Sequence, residues 1–505
     1  MNIKRAKQEI KDTIEAYLLK DEYGEYVIPR VRQRPVLLLG APGIGKTQIM
    51  EQIAKECGIG LVAYTITHHT RQSAIGLPYI SKQEFAGKEY TVTEYTMSEI
   101  VASVYEKMEK TGLKEGILFI DEINCVSETL APAMLQFLQC KTFGSHEIPQ
   151  GWMIAAAGNP PEYNKSVREF DVVTMDRVKK IEVEPDFTVW KEYALEQRLH
   201  PAVISYLNTR TDNFYKMETT VDGRKFATPR GWEDLSQMLS VYETLGKELD
   251  REVAAQYIQH ERIAKDFANY LELFRKYQMD YQLDAVLAGT IDPVLQKKAA
   301  HASFDERLSV VSLLLGRCRK RFWELLCTEA EAELLFEALK TFKEGALGTY
   351  SDCPIVYFRE ITEIFQTETQ QKRQAELLTR EDEHRRRNVA EMLEAYLLKL
   401  QKADVADGAQ AFEQIKSWFD ALQDALELER DAAGKMLEYV FDFMEEVFGA
   451  GQELVIFITE LNKDPASVKF LQEYDCERYY RYNKELLFEE NRQSIEARLR
   501  ALERV

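Results

Sequence analysis

Gly40-Ala41-Pro42-Gly43-Ile44-Gly45-Lys46-Thr47 is the stretch on which the reading of this chain turns. It follows the short apolar run Val36-Leu37-Leu38-Leu39 and precedes a helical pattern over residues 46–57. The spacing is G-x-x-x-x-G-K-[ST]. Glycines let the backbone turn tightly and present its N–H groups as a concave anion site. A helix starting near Gly45 adds its positive dipole end. In such a frame Lys46 reaches the β- and γ-phosphates of ATP, and Thr47 ligates Mg²⁺. The competing explanation is a chance match in a glycine-containing turn. The strand before the motif and the helix after it argue against that.

Two further strand ends carry polar groups. Ile117-Leu118-Phe119-Ile120-Asp121-Glu122 is an apolar run closed by two carboxylates, which packing alone explains poorly because buried charges need partners. Beside a phosphate loop, Asp121 is suited to hold Mg²⁺ through water, and Glu122 to orient or deprotonate an attacking water. Ala155-Ala156-Ala157-Gly158-Asn159-Pro160 ends another apolar run. There Asn159 is a candidate to hold the water or the γ-phosphate, although Asn-Pro is also ordinary turn chemistry.

Working outward, residues 61–67, 117–120 and 152–157 read as buried strands and residues 98–110 and 128–138 as helices, with a hairpin strand within 87–96. Strands interleaved with helices predict an α/β fold with a parallel sheet covered on both faces. From about residue 184 helical periodicity dominates, over 190–209, 232–245 and 254–277. It continues to the end, with long charged hairpins over 366–402 and a last segment over 496–505. Breaks are expected at 352–354 and 449–451. The apolar run 454–461 is too short for a membrane and reads as a buried helix or strand.

Together these motifs resemble an AAA+ ATPase, and their wording is similar to the MoxR branch. The residues that carry the resemblance are 40–47 (Walker A), 117–124 (Walker B) and Gly158-Asn159-Pro160 (sensor 1). Thr174-Met175-Asp176-Arg177-Val178 and Thr228-Pro229-Arg230-Gly231-Trp232 (sensor 2) complete the set. It spans about residues 30–275, roughly half the chain. The resemblance implies an AAA+ P-loop parallel sheet flanked by helices (1–185), a helical lid with sensor 2 (186–278) and a mainly α-helical C-terminal region (279–505). It also implies a hexameric ring, a partner with a von Willebrand factor A domain, and pore-facing hairpins at 76–97 and 141–148 as client contacts. Arg230 then meets the γ-phosphate in cis, and an arginine finger reaches the neighbouring subunit's ATP. Arg177 is preferred for the finger and Arg168 is its rival. The family's Phe after the Asp-Arg pair is Val178 here.

Composition narrows the function classes. At 505 residues the chain should form roughly three domains. A net charge of −19 and a pI near 5.1 argue against a protein that coats nucleic acid. The seven cysteines show no CxxC spacing, and His68, His69 and His146 no ligand spacing, so zinc is not expected. No export signal or transmembrane run is read, and reduced thiols in the cytoplasm are the expectation. The basic stretches 317–321 and 385–387 read as solvated helix faces. The leading expectation is an oligomeric ATPase that remodels or activates partner proteins. The alternatives are a nucleotide-gated binding module with negligible turnover and a nucleic-acid-directed motor.

Overall fold

The computed structural model describes residues 1–66, 74, 76–143, 146–163, 170, 172–220, 223–403, 405 and 407–486. The chain divides into two units. One comprises residues 1–189, 228–230 and 368–381, and the other comprises the remainder.

The first unit is built on a five-stranded sheet. Its strands are β1 (Val36–Gly40), β2 (Gly60–Thr65), β5 (Gly116–Asp121), β8 (Trp152–Gly158) and β9 (Lys179–Val183). Their order is β2-β5-β8-β1-β9, and every pairing is parallel. The central strands are almost wholly buried, as near-continuous apolar runs require when both faces are covered. Helices α1 (Ile3–Leu18), α2 (Lys46–Cys57), α3 (Glu99–Thr111) and α4 (Ala131–Cys140) flank the sheet. On one face Leu37, Leu118, Ile120 and Ile154 share a core with Val101, Met134, Phe137 and Val178. Two antiparallel hairpins stand off the sheet. One joins β3 (Pro78–Phe85) to β4 (Lys88–Tyr95), and the other joins β6 (Thr142–Phe143) to β7 (His146–Glu147).

Strand β9 has no counterpart among the strands expected from sequence. It sits at the sheet edge, where only Ile181 and Val183 are buried and Lys179, Lys180 and Glu182 alternate with them. A half-polar edge strand lacks the apolar run that marks its neighbours. It leads out of α5 (Val172–Arg177).

Among the described residues, the second unit is helical apart from the hairpin β10 (Lys216–Thr220) and β11 (Gly223–Ala227). Two helices expected to be continuous are each broken. Residues 190–209 fall into α6 (Phe187–Glu196) and α7 (Pro201–Thr209), parted at Arg198, whose backbone is left-handed, with Pro201 opening α7. After α8 (Pro229–Thr244), residues 254–277 are shared between α9 (Arg251–Tyr257) and α10 (Glu261–Asp280). There the His260 ring accepts the Ile263 N–H as a cap. Tyr206, Trp232, Phe267 and Tyr270 form an aromatic cluster, with centroids 5.3–5.5 Å apart, that ties α7, α8 and α10 together.

Short helices α11 (Leu283–Leu287) and α12 (Pro293–Ala300) lead into α13 (Phe304–Ala346), then α14 (Pro354–Gln374), α15 (Arg380–Ala403) and α16 (Gly408–Phe448). Helices α17 (Gln452–Lys463) and α18 (Pro465–Glu473) follow. The breaks expected at 352–354 and 449–451 lie between these helices, and the run 454–461 is part of α17. Helices α13 and α16 pack along each other. In α13 the residues Val311, Cys318, Leu325, Ala332, Leu339 and Ala346 recur every seventh position and are all buried, a stripe that faces other helices.

The basic stretch 317–321 is not uniformly a solvated face, contrary to the sequence expectation. Arg319 is largely buried and donates to the Glu460 backbone carbonyl at 2.9 Å, while Cys318 is fully buried. A helix facing protein on several sides hides charges that composition alone assigns to water. Arg385 pairs with Asp382, one turn back at i−3. No helix among the described residues is long and apolar enough to cross a membrane. No disulfide joins any of the seven cysteines. Residues 496–505 lie outside the described residues.

Candidate nucleotide site

The sheet order brings the three polar strand ends together. β8 lies between β5 and β1, so residues leaving β8 sit between Asp121 at the end of β5 and the loop that leaves β1. Ligands of open parallel sheets bind at this carboxyl edge.

The loop needs its glycines. Gly43 and Gly45 have φ values of 75° and 91°, which L side chains rarely adopt, and Gly45 caps the start of α2. The second strand of contacts comes from the sensor 2 segment. The Arg230 N–H donates to Gly43 O at 3.1 Å, and a Cβ on Gly43 would meet Thr228 at 3.2 Å. Thr228–Arg230 belong to the same unit as the loop.

Lys46 is 8% exposed, and its ammonium donates at 2.8 Å to each of Gly40 O, Ala41 O and Asn159 Oδ1. Burial pushes it down to about 8, with Arg230 adding to the effect and Asp121 and Glu122 opposing it. The Thr47 hydroxyl donates to Asp121 Oδ2 at 2.7 Å, and the Glu122 N–H donates to Asp121 Oδ1 at 2.8 Å. Glu122 has a left-handed backbone, φ 56° and ψ 34°, uncommon outside glycine and asparagine. Conformations of this kind cluster where a side chain must be aimed out of the regular strand path.

These contacts close a ring. Lys46 reaches Asn159, Thr47 reaches Asp121, and Asp121 holds the turn that carries Glu122. A buried cation under a glycine-rich turn at a helix start is an arrangement suited to an anion. A threonine hydroxyl touching a carboxylate supplies two hard oxygen donors, the type Mg²⁺ takes when phosphates and water fill its other positions.

Residues 35–178 match the family model described as the AAA domain of the dynein-related subfamily. This segment is an AAA domain. The chain is also similar to solved structures of RuvB from Thermotoga maritima, one of them described as a Holliday junction branch migration motor. That structure is 15% identical, covering 51% of this chain and 69% of its own, with a TM-score of 0.29. A Pro-to-Gly mutant of the same protein is 14% identical with the same coverage and a TM-score of 0.30. No curated protein matches the chain.

The remaining candidates around the AAA domain divide. Arg230 is exposed beside the loop. Arg177 is exposed at the end of α5 and donates to Gln139, apart from the ring described above. Val178 is 5% exposed in the sheet core, so the position calls for an apolar side chain and a valine fills it. Arg168, His68 and His69 lie outside the described residues. The His146 ring contacts Tyr95 O at 2.9 Å, linking the two hairpins. Asn124 closes the 117–124 stretch, and the sequence assigns it no role of its own. Its amide donates to Asn159 O at 2.7 Å and accepts from Asn159 N at 3.3 Å, across 35 residues. An Asn three positions after Asp121 was visible, but nothing local signals its partner.

Proposed function

We propose that this chain is an ATPase that works as an oligomeric ring and uses hydrolysis to remodel or activate partner proteins, in the manner of MoxR-like chaperones. The observation that carries the reading is the closed set of contacts Lys46–Asn159 and Thr47–Asp121 beneath the loop 40–47.

In this reading the loop's N–H groups and Lys46 hold the phosphates, and Asn159 and Arg230 meet the γ-phosphate. The Glu122 carboxylate takes a proton from the attacking water as its oxygen bonds to the γ-phosphorus and the bond to the β-phosphate oxygen breaks. Thr47 and Asp121 are the residues suited to hold Mg²⁺, which when bound neutralises phosphate charge. The exposed Arg177, already tied to Gln139, is the arginine offered to a neighbouring subunit's ATP. Residues 186–278 serve as the lid, and 279–505 as a partner platform or ring appendage in a cytoplasmic assembly.

The hairpin β3–β4 supports a polypeptide client. Tyr79, Ile80, Phe85 and Tyr90 are each about half exposed or more, an apolar and aromatic surface suited to gripping extended chain. A partner with a von Willebrand factor A domain follows from the MoxR resemblance.

Steady-state phosphate release tests the chemistry. The wild-type chain should turn over ATP–Mg²⁺, and Glu122→Gln should bind ATP with turnover reduced about 10²–10⁴-fold. Equal turnover in the two proteins would remove Glu122 from its role.

A further inference from the structure

We infer that Asn124 is a positioning residue: its side-chain amide pairs with the backbone of Asn159 and thereby fixes Asn159 relative to the turn that carries Glu122. The inference rests on the ATPase reading above and adds a residue to it.

The register explains the arrangement. β5 and β8 pair in parallel from Gly116 opposite Trp152 to Ile120 opposite Ala156. Beyond Asp121 the chain leaves the sheet through the left-handed Glu122 and the short turn Ile123–Cys125, so no β5 backbone remains to pair with the end of β8. The Asn124 side chain takes over that task. A primary amide has the same donor and acceptor as a peptide group, so it can continue a strand pairing where the strand itself has turned away. Its Nδ2 donates to Asn159 O at 2.7 Å and its Oδ1 accepts from Asn159 N at 3.3 Å. Asn124 is 4% exposed, so a partner lost there would leave buried polar groups unsatisfied.

Gly158 is the other half of the device. A Cβ at that position would lie 2.7 Å from Asn124 Oδ1, 2.9 Å from its Cγ and 3.1 Å from its Nδ2. All three close atoms belong to the Asn124 amide. The missing side chain at 158 is what admits the amide, and any side chain there would expel it. The consequence runs to the phosphate side, because the Asn159 side chain accepts from Lys46 at 2.8 Å. The Asn124 pairing therefore links the turn of Glu122 to the residue that contacts Lys46. Displacement of catalytic geometry by about 1 Å can cost on the order of 100-fold in rate.

The test uses the full chain and six variants: Asn124→Ala, the near-isosteric Asn124→Asp, Gly158→Ala, Asn159→Ala and the double variants Asn124→Ala/Gly158→Ala and Asn124→Ala/Asn159→Ala. Turnover, KM, affinity for a fluorescent ATP analogue, and melting temperature are measured for each. Each of the first three single variants is expected to lose roughly 10–100-fold in kcat, with KM and analogue affinity unchanged within about twofold. Asn124→Ala/Gly158→Ala should be no slower and no less thermostable than Asn124→Ala, because removing the amide makes room for the Cβ. Adding Asn124→Ala to Asn159→Ala should likewise cost nothing further. Full additivity in either pair would overturn the inference, as would wild-type kcat in all of the first three single variants. A joint fall in melting temperature and ATP affinity accounting for the lost rate would also overturn it, as a purely structural role. Absence of turnover in the wild-type chain would overturn the ATPase reading and this inference with it.

Discussion

The Lys46 ammonium and the Asn159 side-chain carbonyl meet at 2.8 Å although 113 residues separate them in the chain. The contact exists because β1 and β8 are neighbours in the sheet, with Leu39 opposite Gly158. It makes the loop's buried cation and the strand-end amide a single unit.

That unit predicts a pH dependence. Burial brings Lys46 down to about 8, so its charge fades above that pH, whereas bound phosphates would hold the proton on. ATP affinity should therefore be level below pH 8 and weaken above it, approaching about tenfold per pH unit. Calorimetric titrations at pH 7, 8 and 9 measure this, and an affinity independent of pH would contradict it. The effect on stability has the opposite sign. Lys46 carries a desolvation cost while protonated, and that cost is relieved as pH rises from about 8 toward the ordinary lysine value of 10.5.

The Thr47–Asp121 contact predicts how the metal is used. Thr47→Val keeps the shape of the side chain and removes the hydroxyl that touches Asp121 at 2.7 Å. Nucleotide affinity without Mg²⁺ should change little, while the Mg²⁺ concentration for half-maximal turnover should rise by roughly tenfold or more, following the loss of one oxygen ligand. An unchanged Mg²⁺ requirement would remove Thr47 from the metal's surroundings.

Arg177 predicts complementation between subunits. Arg177→Ala should bind ATP normally and lose about 10³-fold or more in turnover, the usual range for an arginine finger. Mixing it with Glu122→Gln should restore part of the activity, since some interfaces then combine an intact Glu122 with an intact Arg177. Two inactive variants that remain inactive in every mixture would argue that Arg177 does not act in trans.

In the helical unit, Lys191 and Glu460 form a buried ion pair at 2.6 Å, joining α6 to α17, and Arg319 stands beside it. Burial opposes ionisation of Glu460, but the charges of Lys191 and Arg319 outweigh it and hold the carboxyl below its ordinary value of 4.5. Its contribution to stability is thus present above about that pH and lost as pH falls further. Glu460→Gln should destabilise the chain by about 3–5 kcal/mol, because it leaves buried cations uncompensated. Lys191→Met combined with Glu460→Leu should recover most of that loss. Denaturant unfolding followed by circular dichroism separates the two outcomes.

The legible parts of the molecule were those with short-range signals. The strand–loop–helix around Lys46, the carboxylates closing β5 and the amide closing β8 all lie within a few residues of their own markers. The left-handed backbone of Glu122 and the Asn124–Asn159 pairing were not legible, since both are set by how the end of β5 departs from β8. Strand β9 escaped notice because an edge strand alternates lysine with isoleucine and valine. The break before α10 was hidden because a histidine ring supplies the cap usually made by serine, threonine or aspartate. Arg319 was misread because residue type alone does not reveal that α17 lies against it.

Assembly around bound ATP is tested most directly by the solution mass of the Glu122→Gln chain in saturating ATP–Mg²⁺, measured by multi-angle light scattering. The prediction is a mass several times the 58.6 kDa of one chain, consistent with a hexamer, that falls when nucleotide is withdrawn. A mass that stays at one chain throughout would contradict it.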